Sequence, residues 1–474
     1  MAPDGKAAGN VTELKQQDKP EITKGIAEFS ANLKFEDLSD DVVEGAKKSF
    51  MDTIGIGLAG SVEEAPRLLA DYVKDQGGKE VSAVLGQGFS TTMANAAWIN
   101  GVSCDILGYS DICVEHVNHP SVTVMPALWA LAEDRKSSGR DIITGHVLGD
   151  EVADNICIAL GEEFHMVGWH PLAVVNTLGA AVGCGSMLGF DADQQANALG
   201  VASAEAAGIR GNDGSYCKAY GAGRSARDGI TAALLTERGY TASKRIMDVR
   251  DGFLCTFGGG VDGHEILETM GKPFDFVKPG MTYKAFPTCT RSHPSIYAAI
   301  QLKEKHNVDP EQIESVVCAV SPAVDRILRF RIPETKWEAK YCLPFAVSLA
   351  LTKGNVVVKE VTNENARDPK LRALMERTTM VVSPELAKHG FLPPHAPHGC
   401  HMTITMKDGN VYDLEQHRGP WEPATTPSFD TLADKFRSCA ELVLEKNQIE
   451  EAVDFCRTLE TQDNINHLMD IVKG

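Results

Sequence analysis

The sequence predicts a mainly helical fold: a large all-helical domain built from both chain ends, with a smaller α+β domain between them. Three observations carry that prediction. Apolar residues recur at helical spacing from Glu21 to about Gly208. After about Gly280 the pattern turns to β-branched and alternating runs, among them a hairpin signal from His401 to Leu414 folded about Asp408-Gly409. Beyond the proline-rich Gly419-Pro-Trp-Glu-Pro-Ala-Thr-Thr-Pro427 the helical periodicity returns.

Taken in order, residues 1–20 are polar and of mixed charge. They lack the apolar stretch of a secretory signal and the Arg-rich character of a transit peptide, so a disordered tail and a cytoplasmic protein are expected. The helical domain is placed at 21–279. Ser39-Asp-Asp offers capping chemistry for a helix with Val42, Val43, Ala46, Phe50 and Ile54 on one face. Similar patterns cover 67–73, 93–99, 122–131, 142–160, 173–188 and 194–207, and only 81–85 reads as a strand in this half. The α+β lid is placed at 280–416, with a helix over 295–305, a strand Ile313–Val320 and a helix over 338–351. Residues 417–474 supply a linker and helices over 432–446 and 449–459 that complete the helical domain.

Composition narrows the function. The chain of 474 residues carries a formal charge of −19, which argues against nucleic acid and anionic membranes as partners. No apolar run reaches the length of a membrane span. Twelve scattered cysteines without a Cys-x-x-Cys pair suit reduced thiols, not a disulfide framework or a zinc ribbon.

Against that acidic background, a basic stretch at 211–229 stands out. Glycines surround Lys218 in what reads as a loop, and a helix is expected from about Arg224 through Ile230, Ala233 and Leu234. A helix start beside Lys218, Arg224 and Arg227 reads as a seat for carboxylates. His119-Pro120 and His170-Pro171 each precede a helix, where the dipole disfavours protonation and leaves a neutral imidazole able to accept a proton. A plain turn dipeptide is the alternative for each. Tyr283-Lys284-Ala-Phe-Pro-Thr-Cys289-Thr-Arg291-Ser-His293 gathers an amine, a thiol, a guanidinium and an imidazole within one connection. His395, His398, Cys400 and His401 hint at a metal, but strand alternation would point the last two to opposite sides, so no metal site is expected.

The order of these landmarks resembles the MmgE/PrpD family, which includes 2-methylcitrate dehydratase, cis-aconitate decarboxylase and iminodisuccinate epimerase. The resemblance rests on His119-Pro-Ser, Trp169-His170-Pro, Lys218 with Gly223-x-x-Ala-Arg227-x-Gly229, Asp251-Gly-Phe253, Tyr283-Lys284-x-Phe-Pro287 and Glu338-Ala-Lys340. It implies a homodimer that needs no cofactor or metal, with a site between the domains and His119, His170, Lys218 and Lys284 at active-site positions. Three departures stand beside it. Gly108-Tyr-Ser-Asp111 keeps one aspartate of the family's Asp-Phe-Asp-Asp, Cys289 stands where the decarboxylase has histidine, and Phe345 where it has tyrosine.

The expected function is a lyase on a small di- or tricarboxylic acid, foremost the dehydration of a 2-methylcitrate-like substrate. Decarboxylation of an aconitate-like acid, epimerisation of an aminodicarboxylate and a non-catalytic role are the alternatives. His119, His170, Lys218, Lys284, Asp111 and Cys289 are the expected catalytic residues. Lys218, Lys284, Arg227, Arg291, His293 and Tyr109 are expected to bind the substrate.

Overall fold

The computed structural model describes residues 21–113, 117–386 and 399–474. The expected fold class is what it contains: a large helical part and a smaller α+β part. The chain opens with α1 (Ile22–Asn32), α2 (Asp40–Ser61) and α3 (Glu64–Gln76). A two-stranded antiparallel ribbon, β1 (Ser82–Ala83) and β2 (Ser90–Thr91), stands where one strand was expected. Then come α4 (Met93–Ile106), α5 (Ser121–Arg135) and α6 (Gly139–Val167), the last broken at Gly161, where φ is 67°. The helical expectation over 142–160 stops at that break. Next are α7 (Pro171–Val174), α8 (Asn176–Met187), α9 (Ala192–Ser203), α10 (Tyr216–Glu237), α11 (Phe253–Gly258) and α12 (His264–Thr269).

The α+β part contains α13 (His293–His306), β3 (Ile313–Val320), α14 (Pro322–Ile327), α15 (Lys336–Ala339), α16 (Leu343–Lys353), α17 (Asn363–Arg367) and α18 (Pro369–Met375). It continues with β4 (Thr378–Val382), β5 (Cys400–Met406) and β6 (Val411–Gln416). The strands lie in the order β4-β3-β5-β6, with β3 parallel to β4 and the other pairs antiparallel. Val316 opposes Ile404 and Cys318 opposes Met402, so one face of the sheet is apolar and buried. The single helix expected over 338–351 is two, because Cys342 accepts from the Phe345 N–H as a cap and Pro344 opens α16. Finally α19 (Phe429–Ala440), α20 (Lys446–Arg457) and α21 (Asn466–Val472) close the chain. Leu432, Phe436 and Leu468 of these helices bury into the same core as Ile54, Leu128 and Ile230, while Ile296, Val316, Phe345 and Ile404 form a separate core. Among the described residues, no helix is long and apolar enough to cross a membrane.

The largest departure from expectation is α10. It begins at Tyr216, with Ser215 accepting from the Cys217 N–H at 3.3 Å, so Lys218 stands in the first helical turn and not in a loop. Gly221 and Gly223 are helical, and Gly223 is there for packing. A Cβ on Gly223 would collide with the Trp98 carbonyl of α4, and one on Gly101 would lie 2.6 Å from the Gly223 Cα. The glycines let α4 and α10 approach closely, a role that looks like loop chemistry in a bare sequence. Gly223→Ala should therefore cost about 1–3 kcal/mol of unfolding free energy, because backbone cannot move aside as a flexible side chain can. Gly211→Ala, where nothing lies within 4 Å of the added carbon, should be near neutral. Equilibrium denaturation of the two variants checks this; equal stabilities would refute the packing role.

Candidate active site

A cleft of about 930 Å³ is lined by residues of both cores' surroundings, from α4 and α10 on one side and from 284–291 and 327–341 on the other. An antiparallel bridge brings the two sides together: the Ile112 N–H donates to the Thr282 carbonyl at 2.9 Å and is answered at 3.0 Å. That bridge sets His119 and Lys284, distant in sequence, beside the same cavity. Tyr283 anchors the segment behind it, with its hydroxyl 3.2 Å from both Ser49 Oγ and the Gly45 carbonyl.

His119 is clamped through its own backbone. Its N–H donates to Asn118 Oδ1 at 2.9 Å, and its carbonyl accepts from Asn176 Nδ2 at 2.9 Å. Asn118 Nδ2 in turn donates to Asp154 Oδ1 and Asn176 Oδ1 at 2.8 and 2.7 Å. The imidazole Nδ1 lies 2.8 Å from the Asp111 carbonyl. A carbonyl oxygen only accepts, so Nδ1 carries the proton and Nε2 is left bare. Burial, with Lys284 and Lys218 nearby, holds the imidazole pKa well below its ordinary value. The ring is neutral, with one basic nitrogen.

The walls are cationic. Arg210, Lys218, Lys284, Arg291 and Lys340 line the cleft, against the carboxylates Asp105 and Asp213. Lys218 is ion-paired with the buried Asp105 of α4, which the close approach of α4 and α10 makes possible. Lys284 Nζ donates to the Gly108 carbonyl at 2.9 Å, and Lys340 Nζ to the Ile106 carbonyl at 2.7 Å. Burial pushes both ammonium groups down to about 7, with Lys218 adding to the effect. His170 stands at the N-cap position of α7 without a side-chain capping bond, its Nε2 3.8 Å from Asp213 Oδ1, and burial holds it too well below its ordinary pKa. His170 Nδ1 and Asp213 Oδ1 are buried without a hydrogen-bond partner among the described residues.

Of the expected site residues, the cleft gathers His119, His170, Lys218, Lys284, Cys289 and Arg291. The other four point elsewhere. Asp111 lends the site its carbonyl only; its carboxyl is buried behind, accepting from Ser121 Oγ at 2.7 Å, and burial beside Asp150 pushes it up to about 7. Tyr109 donates to the Ala285 carbonyl at 3.3 Å and carries the Lys435 ammonium over its ring at 3.8 Å. Arg227 pairs with Asp228 and stacks over Trp98, 4.5 Å from the ring centre, while Arg224 binds the carbonyls of Ala173 and Ala207. His293 is buried edge-on against Phe286, with ring centres 5.2 Å apart. Of the suspected metal ligands, His395 and His398 lie outside the described residues, and Cys400 is buried on β5 while His401 is exposed.

Sequence reasoning missed Asp105, Arg210, Asp213, Lys340 and Tyr341, all in the lining. Asp213 and Lys340 lay inside stretches already singled out. Tyr341 supplies a phenol that the replacement by Phe345, buried in the second core, had suggested was lost.

The MmgE/PrpD N-terminal domain model matches residues 24–265, and the MmgE/PrpD C-terminal domain model matches 286–460. The chain belongs to the MmgE/PrpD family. Among curated relatives of this MmgE/PrpD protein, cis-aconitate decarboxylase of Mus musculus is 25% identical, over 96% of this chain and 93% of that protein. The Homo sapiens cis-aconitate decarboxylase is 26% identical over 96% and 95%. The 2-methylcitrate dehydratase of Cupriavidus necator is 24% identical over 90% of each.

The lysines give a signed pH dependence. Held near 7, Lys284 and Lys340 are ammonium below that pH and amine above it. Affinity for a polycarboxylate should therefore fall as pH rises from about 6 to about 8.5. In Lys284→Met/Lys340→Met it should be low and flat over that range. Calorimetric titration with tricarballylate reads this; a parent affinity that rises with pH would contradict the assignment.

Proposed function

We propose that this MmgE/PrpD protein is a lyase that dehydrates a small hydroxy-polycarboxylate of the alkylcitrate type. One observation carries the reading: an imidazole locked with Nε2 bare stands beside a cluster of lysines and arginines. Lys218, Arg291 and Lys340 hold the carboxylates, so the carbon between them can lose a proton while its negative charge is met by fixed cations. His119 Nε2 accepts that proton, and the C–H electron pair forms the double bond as the hydroxyl leaves. Lys284, with a pKa pushed to about 7, delivers the proton that turns hydroxide into water. Proton return from His119 to Lys284 through solvent resets the site.

Decarboxylation of an aconitate-like acid is the second reading, favoured by relatives of that name that match across 96% of this chain. It demands a proton donor at the carbanion. That donor is at hand in Lys284, but decarboxylation gives the bare Nε2 of His119 no proton to accept, which favours dehydration. Incubation with 2-methylcitrate and with cis-aconitate separates the two: a new alkene absorbance without gas marks dehydration, and released CO₂ marks decarboxylation. His119→Gln should lower kcat by about 10²–10⁴ with little change in KM, since a proton-transfer group and not a binding charge is lost. Full activity in that variant would sink the proposed base.

A further inference from the structure

Beside the cleft opens a second cavity of about 510 Å³, and the two share His165, Arg210, Asp213 and Ile327. Its described lining adds Arg326 and Arg329 to Arg210, which places three guanidiniums around one cavity, with the carboxylate of Asp213 among them. Both added arginines are exposed, at and just beyond the end of α14. Each reaches across the seam between the two parts of the chain. Arg326 donates to the Met166 carbonyl at 3.3 Å and lies 3.0 Å from its sulfur, and Arg329 donates to the Asp213 carbonyl. These contacts hold the arginines at the mouth without burying them. On a chain of net charge −19, a polyanion meets repulsion over most of the surface, and a local run of positive charge determines where it arrives. A guanidinium at the surface also keeps its charge where a buried ammonium does not.

From this we infer that the Arg326 and Arg329 cavity is a cationic vestibule: it captures the polycarboxylate anion and passes it, by way of Arg210, to the lysines of the cleft. The inference rests on the polycarboxylate reading of that cleft. It assigns Arg326 a function in association and none in the chemical step. Arg329 is the poorer test position, because it also holds the backbone of Asp213 beside His170.

The test is stopped-flow binding of tricarballylate, a tricarboxylate without a hydroxyl to lose, followed by the change in tryptophan fluorescence, to which Trp337 in the cleft lining responds. Rates are measured from low to high KCl for the parent, Arg326→Glu and Arg326→Lys. The parent association rate should fall steeply with salt. Arg326→Glu should associate about fivefold or more slowly at low salt, with a shallower salt dependence and a dissociation rate little changed. Arg326→Lys, which keeps the charge but not the fork that binds Met166, should stay within about twofold of the parent. A parent-like rate and salt dependence in Arg326→Glu overturns the vestibule and leaves the lyase reading standing. So does an Arg326→Lys rate as slow as that of Arg326→Glu, because the contact and not the charge would then matter. A parent that binds no tricarballylate, and turns over no polycarboxylate, overturns the lyase reading and the vestibule with it.

Discussion

The ion pair between Lys218 and Asp105 depends on a close approach of two helices, and much of the cleft depends on that pair. With no side chain at Gly101 or Gly223, α10 lies against the backbone of α4. The first turn of α10 thereby delivers Lys218 to a buried carboxylate at the end of α4. A buried cation without a partner is costly, and a buried pair is tolerable when its geometry is good. The pair places one fixed cation at the cleft floor, and the segment that follows α4 then turns its Ile106 and Gly108 carbonyls to Lys340 and Lys284. One helix end thus organises three lysines from three distant parts of the chain.

The electrostatics follow from that crowding. Three lysines line one cleft, and Lys284 and Lys340 are buried in its wall. Lys284 and Lys340 respond by giving up protons more readily than exposed lysines do. Burial, helped by the same field, keeps His119 and His170 neutral. A site of this kind separates two chemical properties that usually conflict: strong attraction for anions, and a basic nitrogen that remains unprotonated beside them. An acidic exterior makes the contrast sharper, because positive potential survives only where the fold concentrates it.

Much of this was legible in the sequence, and the failures have physical causes. Helical periodicity found most of the helical domain, and β-branched runs found β3, β5 and β6, because those patterns report burial directly. The strand β4, exposed at three of its five positions, gave no such alternation. Glycine misled at α10: the same residue that frees a loop also lets helices touch, and only the partner helix distinguishes the two. The His-Pro and Lys-x-Phe-Pro segments were found by their chemistry. Asp105 was not, since an aspartate in a small-residue helix shows its meaning only when Lys218 arrives from more than a hundred residues away. Arg227 failed for the opposite reason, as its charge is consumed by Asp228 and Trp98.

The hold on His119 has a consequence for how such chains diverge. The group that fixes the imidazole tautomer is a main-chain oxygen, and every amino acid at position 111 possesses one. The path of the polypeptide, not the identity of the side chain, specifies the basic nitrogen. Aspartates around it can therefore be exchanged during evolution without disarming the histidine, provided the Ile112–Thr282 bridge keeps its course. Comparison of residue letters alone would count such exchanges as decay of the active centre.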